Sequence, residues 1–279
     1  MSQPQAKEDL KDVSSHFSFG KNWSSYLSVV SDEHKTQAAH GLSQLLTPEE
    51  ISGKRFLDIG CGSGMSMLAA LTLGAGEVKG VDIDPDSART AQELLSKQAA
   101  DKKWSVENRS VFDLSPMKDG TFDIVHSWGV LHHTGDMDGA LNAAAALVAP
   151  GGLFVVALYR KTPLCNLWRI EKKVYTNAPA ALQAAMRAVY KAIYVLGLVA
   201  TGRNPKTYIS EYKGNRGMNF DHDVHDWLGG YPYESVTPEE VETFMEAHDF
   251  EMIRAHTKPA NVAGILGTHC DEFVARRLS

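Results

Sequence analysis

The chain has 279 residues, 43% hydrophobic and 22% charged, a balance that excludes a disordered chain, a collagen and a polytopic membrane protein. Its net charge of −6 gives no global case for binding nucleic acid. Cys61, Cys165 and Cys270 are too few and too scattered for a disulfide framework or a zinc ribbon. The N-terminus is polar and lacks the apolar stretch of a secretory signal, and the longest apolar run, 192–200, is half of what a bilayer span needs. A reduced, soluble, cytoplasmic protein is expected.

In chain order, Phe17, Phe19, Trp23, Tyr26, Leu27 and Val30 recur at helical spacing. A second helix is predicted over 34–46, and Thr47-Pro48-Glu49-Glu50 reads as a capped turn with Thr47 at N-cap. A strand over 55–59 ends in Gly60-Cys61-Gly62-Ser63-Gly64 and opens into a helix that Gly74-Ala75-Gly76 stops. A second strand, 78–81, closes on Asp82, and a third unit spans 88–111. A fourth strand covers 122–127, and a helix over 140–148 leads through Pro150-Gly151-Gly152 into a strand over 153–159. Between 160 and 235 the alternation breaks into an insertion. Two late strands, 250–256 and 272–276, read as an antiparallel hairpin at one sheet edge. Strands alternating with helices at this spacing predict an α/β fold with a doubly wound, mostly parallel sheet and a helical insertion.

The glycine loop after the first strand is a ligand-cradling turn, because glycines let a backbone turn tightly and a ligand approach closely. Asp82, ending the next strand, can accept both ribose hydroxyls of a nucleoside. Met65 stands where the strict dinucleotide pattern needs a third glycine, and no Gly-Lys-Ser/Thr follows. A nucleoside without a pyrophosphate therefore fits better than NAD or ATP.

Five ordered segments resemble the motifs of class I S-adenosylmethionine-dependent methyltransferases. They are Phe56-Leu57-Asp58-Ile59-Gly60-Cys61-Gly62-Ser63-Gly64, Gly80-Val81-Asp82-Ile83-Asp84, Phe122-Asp123-Ile124-Val125, Leu131-His132-His133 and Pro150-Gly151-Gly152. The resemblance covers 53–159 and implies a seven-stranded Rossmann-like sheet with an antiparallel final strand. It implies that Asp58 and the backbone of Gly60, Cys61 and Gly62 face the methionine part of S-adenosylmethionine. Asp82 would hold the ribose, Ile83 lie against the adenine, and Asp113 bind the adenine amino group. Ser127 and Trp128 would line the sulfonium end. Less specifically, Phe19-Gly20-Lys21-Asn22-Trp23 and the run from Asp226 through Trp227 to Glu234 are similar to a bacterial subgroup grouped with ubiquinone-type O-methyltransferases.

The division expected is a helical lid over 1–50, a cofactor core over 51–159, a basic specificity insertion over 160–235, and a closing helix and hairpin over 236–279. Methyl transfer to a hydroxyl or an amine requires a group that takes a proton. His132 and His133 follow the fourth strand, and in related sequences the second of these histidines lies near the reacting centre, so His133 is favoured. The segment 221–227, taken as a loop, offers His222 or His225 as a base; its density of acids also raises a divalent metal as a weaker alternative. Trp227, Tyr231 and Tyr233 are expected as pocket walls, and Trp23 and Tyr26 as a lid over the cofactor.

Residues 160–206 hold nine basic residues and one acid, Glu171. Leu182, Met186, Val189, Ile193 and Leu196 form one helical face, with Arg187 and Lys191 away from it. Two readings follow: a helical cap packed on the sheet with a solvated basic face, or an amphipathic surface that meets a lipid headgroup layer or an acidic partner. The function expected is methyl transfer from S-adenosylmethionine to an oxygen or nitrogen of a small or lipid-attached acceptor, with release of S-adenosylhomocysteine. A protein lysine as acceptor, drawn by the acids of 221–226, is one alternative. A non-catalytic cofactor-binding regulator and a nicotinamide-dependent oxidoreductase are the others.

Overall fold

Strand β1 (Arg55–Ile59) shows how the sheet is specified: four of its five residues are buried, as a strand covered on both faces requires. The computed structural model of the chain describes residues 10, 17, 32–216, 220–257 and 269–278, without the side chains of 32–35, 211, 213–216 and 222. The lid residues Trp23 and Tyr26 lie outside the described residues, as does the side chain of His222.

Helix α1 (Asp32–Leu45) leads to a short helix, α2 (Pro48–Ile51), whose Thr47 and Glu50 form the expected capping box. After β1 come α3 (Met65–Thr72), β2 (Glu77–Asp82), α4 (Pro85–Gln98) and β3 (Trp104–Asn108). A 3-10 turn (Val111–Asp113) and α5 (Pro116–Asp119) precede β4 (Phe122–Trp128). A second 3-10 turn (Leu131–His133), α6 (Met137–Ala146) and β5 (Val148–Tyr159) follow. The insertion is four helices: α7 (Cys165–Thr176), α8 (Ala180–Ala200), α9 (Pro205–Arg216) and α10 (Phe220–Gly229). Then α11 (Pro238–Ala247), β6 (Phe250–His256) and β7 (Cys270–Arg277) close the fold.

The sheet has the order β3-β2-β1-β4-β5-β7-β6, parallel from β3 to β5, with β7 antiparallel to both of its neighbours. The reversed final strand is as the motifs implied. Only β6 of the hairpin is an edge strand; β7 lies inside the sheet. Strand periodicity divides the core in two. Phe56, Ile124, Val155 and Val274 face α1, α3 and α4, whereas Leu57, Val125, Phe154 and Phe273 face α6 and α11.

Two readings of the sequence need correction. The segment 221–227 is not a loop but most of α10, because Phe220, Val224 and Leu228 repeat at i, i+4 and i+8 and are all buried. The stripe on α8 does not pack inward. Leu182, Val189, Ile193 and Leu196 are exposed, and Tyr190 and Leu198 are the residues that bury the helix.

Candidate functional site

In an open α/β sheet, ligands bind beyond the carboxyl ends of the parallel strands, where the order reverses. Here that point lies between β1 and β4. The loop leaving β1 is held by its own backbone: the N–H groups of Gly60 and Cys61 both donate to Val81 O, at 2.8 and 3.1 Å. Gly60 (φ 75°) has no room for a side chain, since a Cβ would sit 2.4 Å from Val130. At Gly64 (φ 81°) a Cβ would crowd Ala91 on α4.

Asp58 is 2% exposed beneath this loop. Its Oδ1 pairs with His126 Nδ1 at 2.7 Å, across the register of β1 and β4. Its Oδ2 is buried without a hydrogen-bond partner among the described residues. A buried acceptor in that condition is costly unless a donor arrives. His126 was not singled out from the sequence. Its signal was weak: one polar residue inside the apolar run of β4, facing another on β1 that lies 68 positions away.

Asp82 accepts from Gly62 N and from Asp84 N, each at 2.9 Å. It therefore pins the glycine loop to the end of β2, and each oxygen keeps a further lone pair. Burial raises its carboxyl to about 6, against the pull of those two backbone N–H groups; the charges of Asp84 and Asp58 add to the rise. Ile83 is half-buried beside it. Asp113 ends the 3-10 turn after β3 and accepts from Arg109 through its backbone carbonyl at 2.8 Å. Cys61 is buried, and burial followed by the charges of Asp82 and Asp58 pushes its thiol well up, so it stays protonated and is no nucleophile.

Ser127 is fully buried and donates its hydroxyl to Ile59 O at 2.9 Å, tying β4 to β1 where the loop begins. Trp128, by contrast, is 48% exposed at the tip of β4. Its indole N–H donates to Glu272 on β7 at 2.7 Å.

A second cluster adjoins the tips of β4 and β5. His133 Nδ1 lies 2.7 Å from Pro232 O. A carbonyl can only accept, so Nδ1 carries the proton in that bond. His132 is fully buried and packs at a tilt against Tyr159, ring centroids 4.0 Å apart. Burial, then the nearby His133 and Lys172, holds its pKa well below the ordinary range, so it is a neutral imidazole.

The residues expected as pocket walls divide. Tyr231 is half-buried beside the histidine cluster. Tyr233 is buried, packed at a tilt against Tyr159 and hydrogen-bonded to Cys165 Sγ at 3.2 Å, so it belongs to the floor and not to an open wall. Trp227 packs on Tyr190 and Tyr194 inside the helical insertion. His225 belongs there as well, its Nδ1 2.6 Å from Tyr175 Oη and 3.3 Å from Arg187 Nη1. The structure thus puts His133 and His225 in different clusters. Asp221 pairs with Lys191 at 2.8 Å and buried Asp223 accepts from Tyr212. No metal-ligating cluster occurs among the described residues.

Lys172 was also missed. It lies on the buried face of α7 with Cys165, Trp168 and Tyr175, a lysine in an otherwise apolar and aromatic row. Its ammonium donates to Trp227 O and sits over the rings of Tyr159 and Tyr233, 5.8 and 5.4 Å from their centroids. Burial pulls its pKa below the ordinary lysine range, although Glu171 and Asp226 oppose this.

Comparisons with known proteins agree with this geometry. A family profile described as a methyltransferase domain matches residues 31–254. The chain is 31% identical over 122 residues to a ubiquinone biosynthesis O-methyltransferase of Xanthomonas euvesicatoria, covering 44% of this chain and 50% of that protein. It is 34% identical over 116 residues to the Brucella melitensis protein of that name, covering 41% and 45%. The match thus spans half or less of these relatives' length. Magnesium protoporphyrin IX methyltransferase from Synechocystis PCC 6803, solved with bound SAH, shares the fold at a TM-score of 0.51. The identity there is 15%, over 88% of this chain and 83% of that one.

Proposed function

The chain belongs to the methyltransferase-domain family, and from that premise we propose that it transfers a methyl group from S-adenosylmethionine to an oxygen of a small or lipid-attached acceptor. The observation that carries the reading is Asp58 Oδ2, a buried acceptor without a partner among the described residues, under a loop that cannot bear a Cβ at Gly60. A group with an ammonium and a nucleoside fits that site. Bound there, the cofactor supplies a methyl group on a positively charged sulfur, open to in-line displacement.

The chain's own residues do the rest. Asp58 takes the ammonium through Oδ2 while His126 fixes its other oxygen. The remaining lone pairs of Asp82 take the ribose hydroxyls, Ile83 lies against the adenine, and Asp113 receives its amino group. Trp128, steadied by Glu272, borders the approach to the sulfur. His133, oriented by Pro232 O, accepts the acceptor's hydroxyl proton at Nε2. Tyr231 and the histidine cluster flank the acceptor. Acids that would draw a cationic protein substrate are instead engaged within the insertion, Asp221 by Lys191 and Asp223 by Tyr212, which favours a small or lipid-attached acceptor over a protein lysine.

Calorimetry separates the cofactors: S-adenosylmethionine binds and NAD does not. Asp58→Asn weakens the binding by about 10- to 100-fold, the value of one charged hydrogen bond. Methyl-labelled cofactor given with a cell extract then labels lipid or small-molecule fractions. Label confined to protein, or heat only with NAD, overturns the assignment.

A further inference from the structure

Helix α8 is amphipathic the wrong way round for a soluble helix. Its polar side chains are engaged by neighbouring helices: Gln183 donates to Tyr175 O at 3.0 Å and Arg187 to Tyr175 Oη at 2.7 Å, both part-buried, and Lys191 pairs with the exposed Asp221 at 2.8 Å. Every exposed residue of the helix is alanine, leucine, isoleucine or valine. Leu182, Val189, Ile193, Leu196 and Val199 are each 47 to 68% exposed. On α7, Leu167, Ile170 and Val174 are also exposed and run along one side of the helix. Monomeric proteins rarely leave so large a contiguous apolar face uncovered.

Charge identifies what covers it. Arg169 and Lys173 are exposed and flank the α7 row; Arg203 and Lys206 are exposed just after α8. The one acid of residues 160–206, Glu171, has both carboxylate oxygens buried. A two-fold contact through this face would bring these cations against one another, and Glu171, the one acid of 160–206, is buried away from them. An anionic lipid layer satisfies both the apolar face and its basic border. The helix is long and apolar enough to cross a bilayer. It bonds to Tyr175 on α7 through Arg187 and to Asp221 on α10 through Lys191, so the helix is tied lengthwise to the insertion.

We propose that α7 and α8 form a membrane-docking face that lies flat on an anionic bilayer, with Leu182, Val189, Ile193 and Leu196 at the acyl boundary and Arg169, Lys173, Arg203 and Lys206 among the headgroup phosphates. This does not depend on the methyl-transfer reading. The test is co-sedimentation of the full chain with vesicles of phosphatidylcholine, alone or mixed with phosphatidylglycerol. The chain pellets with the mixed vesicles, and added salt weakens this. The double variant Val189→Glu/Ile193→Glu, at solvent-exposed positions, lowers vesicle affinity by tenfold or more with an unchanged melting temperature. Arg169→Glu/Lys173→Glu abolishes the preference for anionic vesicles and serves even if the first variant does not fold. No pelleting at low salt overturns the proposal. So does a dimer in light scattering that Val189→Glu/Ile193→Glu converts to monomer without vesicle binding, which would assign the face to a second copy.

Discussion

Asp82 fastens the glycine loop through one carboxylate, the group proposed to take the ribose hydroxyls. Its pKa of about 6, raised by burial from 3.8, has two consequences. The unfolded chain releases this proton near pH 4, while the folded chain holds it to about 6. The contribution of Asp82 to the stability of the cofactor-free protein is therefore greatest below that window and falls by about 3 kcal/mol as pH rises through it. Urea unfolding at pH values on either side reads this slope, and Asp82→Asn removes it. Cofactor affinity runs the other way, since a protonated carboxyl has lost acceptor capacity; it drops about tenfold per unit below pH 6. His133→Ala is expected to lower kcat by about 10²- to 10³-fold with unchanged cofactor affinity in calorimetry. Asp58, the glycines and Asp82 were legible because a short stretch of sequence carries their spacing. His126 was not, because only the register of β1 against β4 brings it to Asp58. Ser127 was expected to line the sulfonium end; what its fully buried hydroxyl does is tie β4 to Ile59.

At the scale of the element, the helical insertion was read less well than the sheet. The sheet announced itself through apolar strands and glycine turns, each a local signal. The titratable residues of α10 drew attention from its apolar repeat at Phe220, Val224 and Leu228. On α8 the apolar stripe was visible, but periodicity does not say which side of a helix faces inward; the partners of Arg187 and Lys191 decide that. Lys172 gives the insertion a test of its own. Its ammonium is buried against Trp227 O and two aromatic rings. Lys172→Met keeps the volume and removes the charge, so stability stays within about 1 kcal/mol or rises. Lys172→Ala leaves a cavity and an unmet carbonyl and costs about 3 kcal/mol. Denaturant unfolding of both variants checks the contrast; equal losses would mean that the charge itself holds α7 to α10.

The whole molecule depends on where β7 lies. Strands β5 and β6 meet only through it, by antiparallel pairing that is unbroken on the β5 side and shifts register between Met252 and Arg254 on the β6 side. Arg160, following β5, is locked to Asp271 on β7 at 2.9 Å, with the carboxylate almost fully buried. Removing residues from 270 onward takes out the strand between β5 and β6 and leaves Arg160 without its acid. The shortened chain is expected to lose cooperative melting in circular dichroism, whereas a sharp transition would show that the parallel half stands alone. The placement of β7 also imposes an order in time. It leaves the ribosome after β5 and β6, yet it fills the slot between them. Until then the nascent chain carries an open flank along β5, ready to pair with any stray strand it meets. The interval between the synthesis of β6 and the docking of β7 is when this fold has most need of a chaperone.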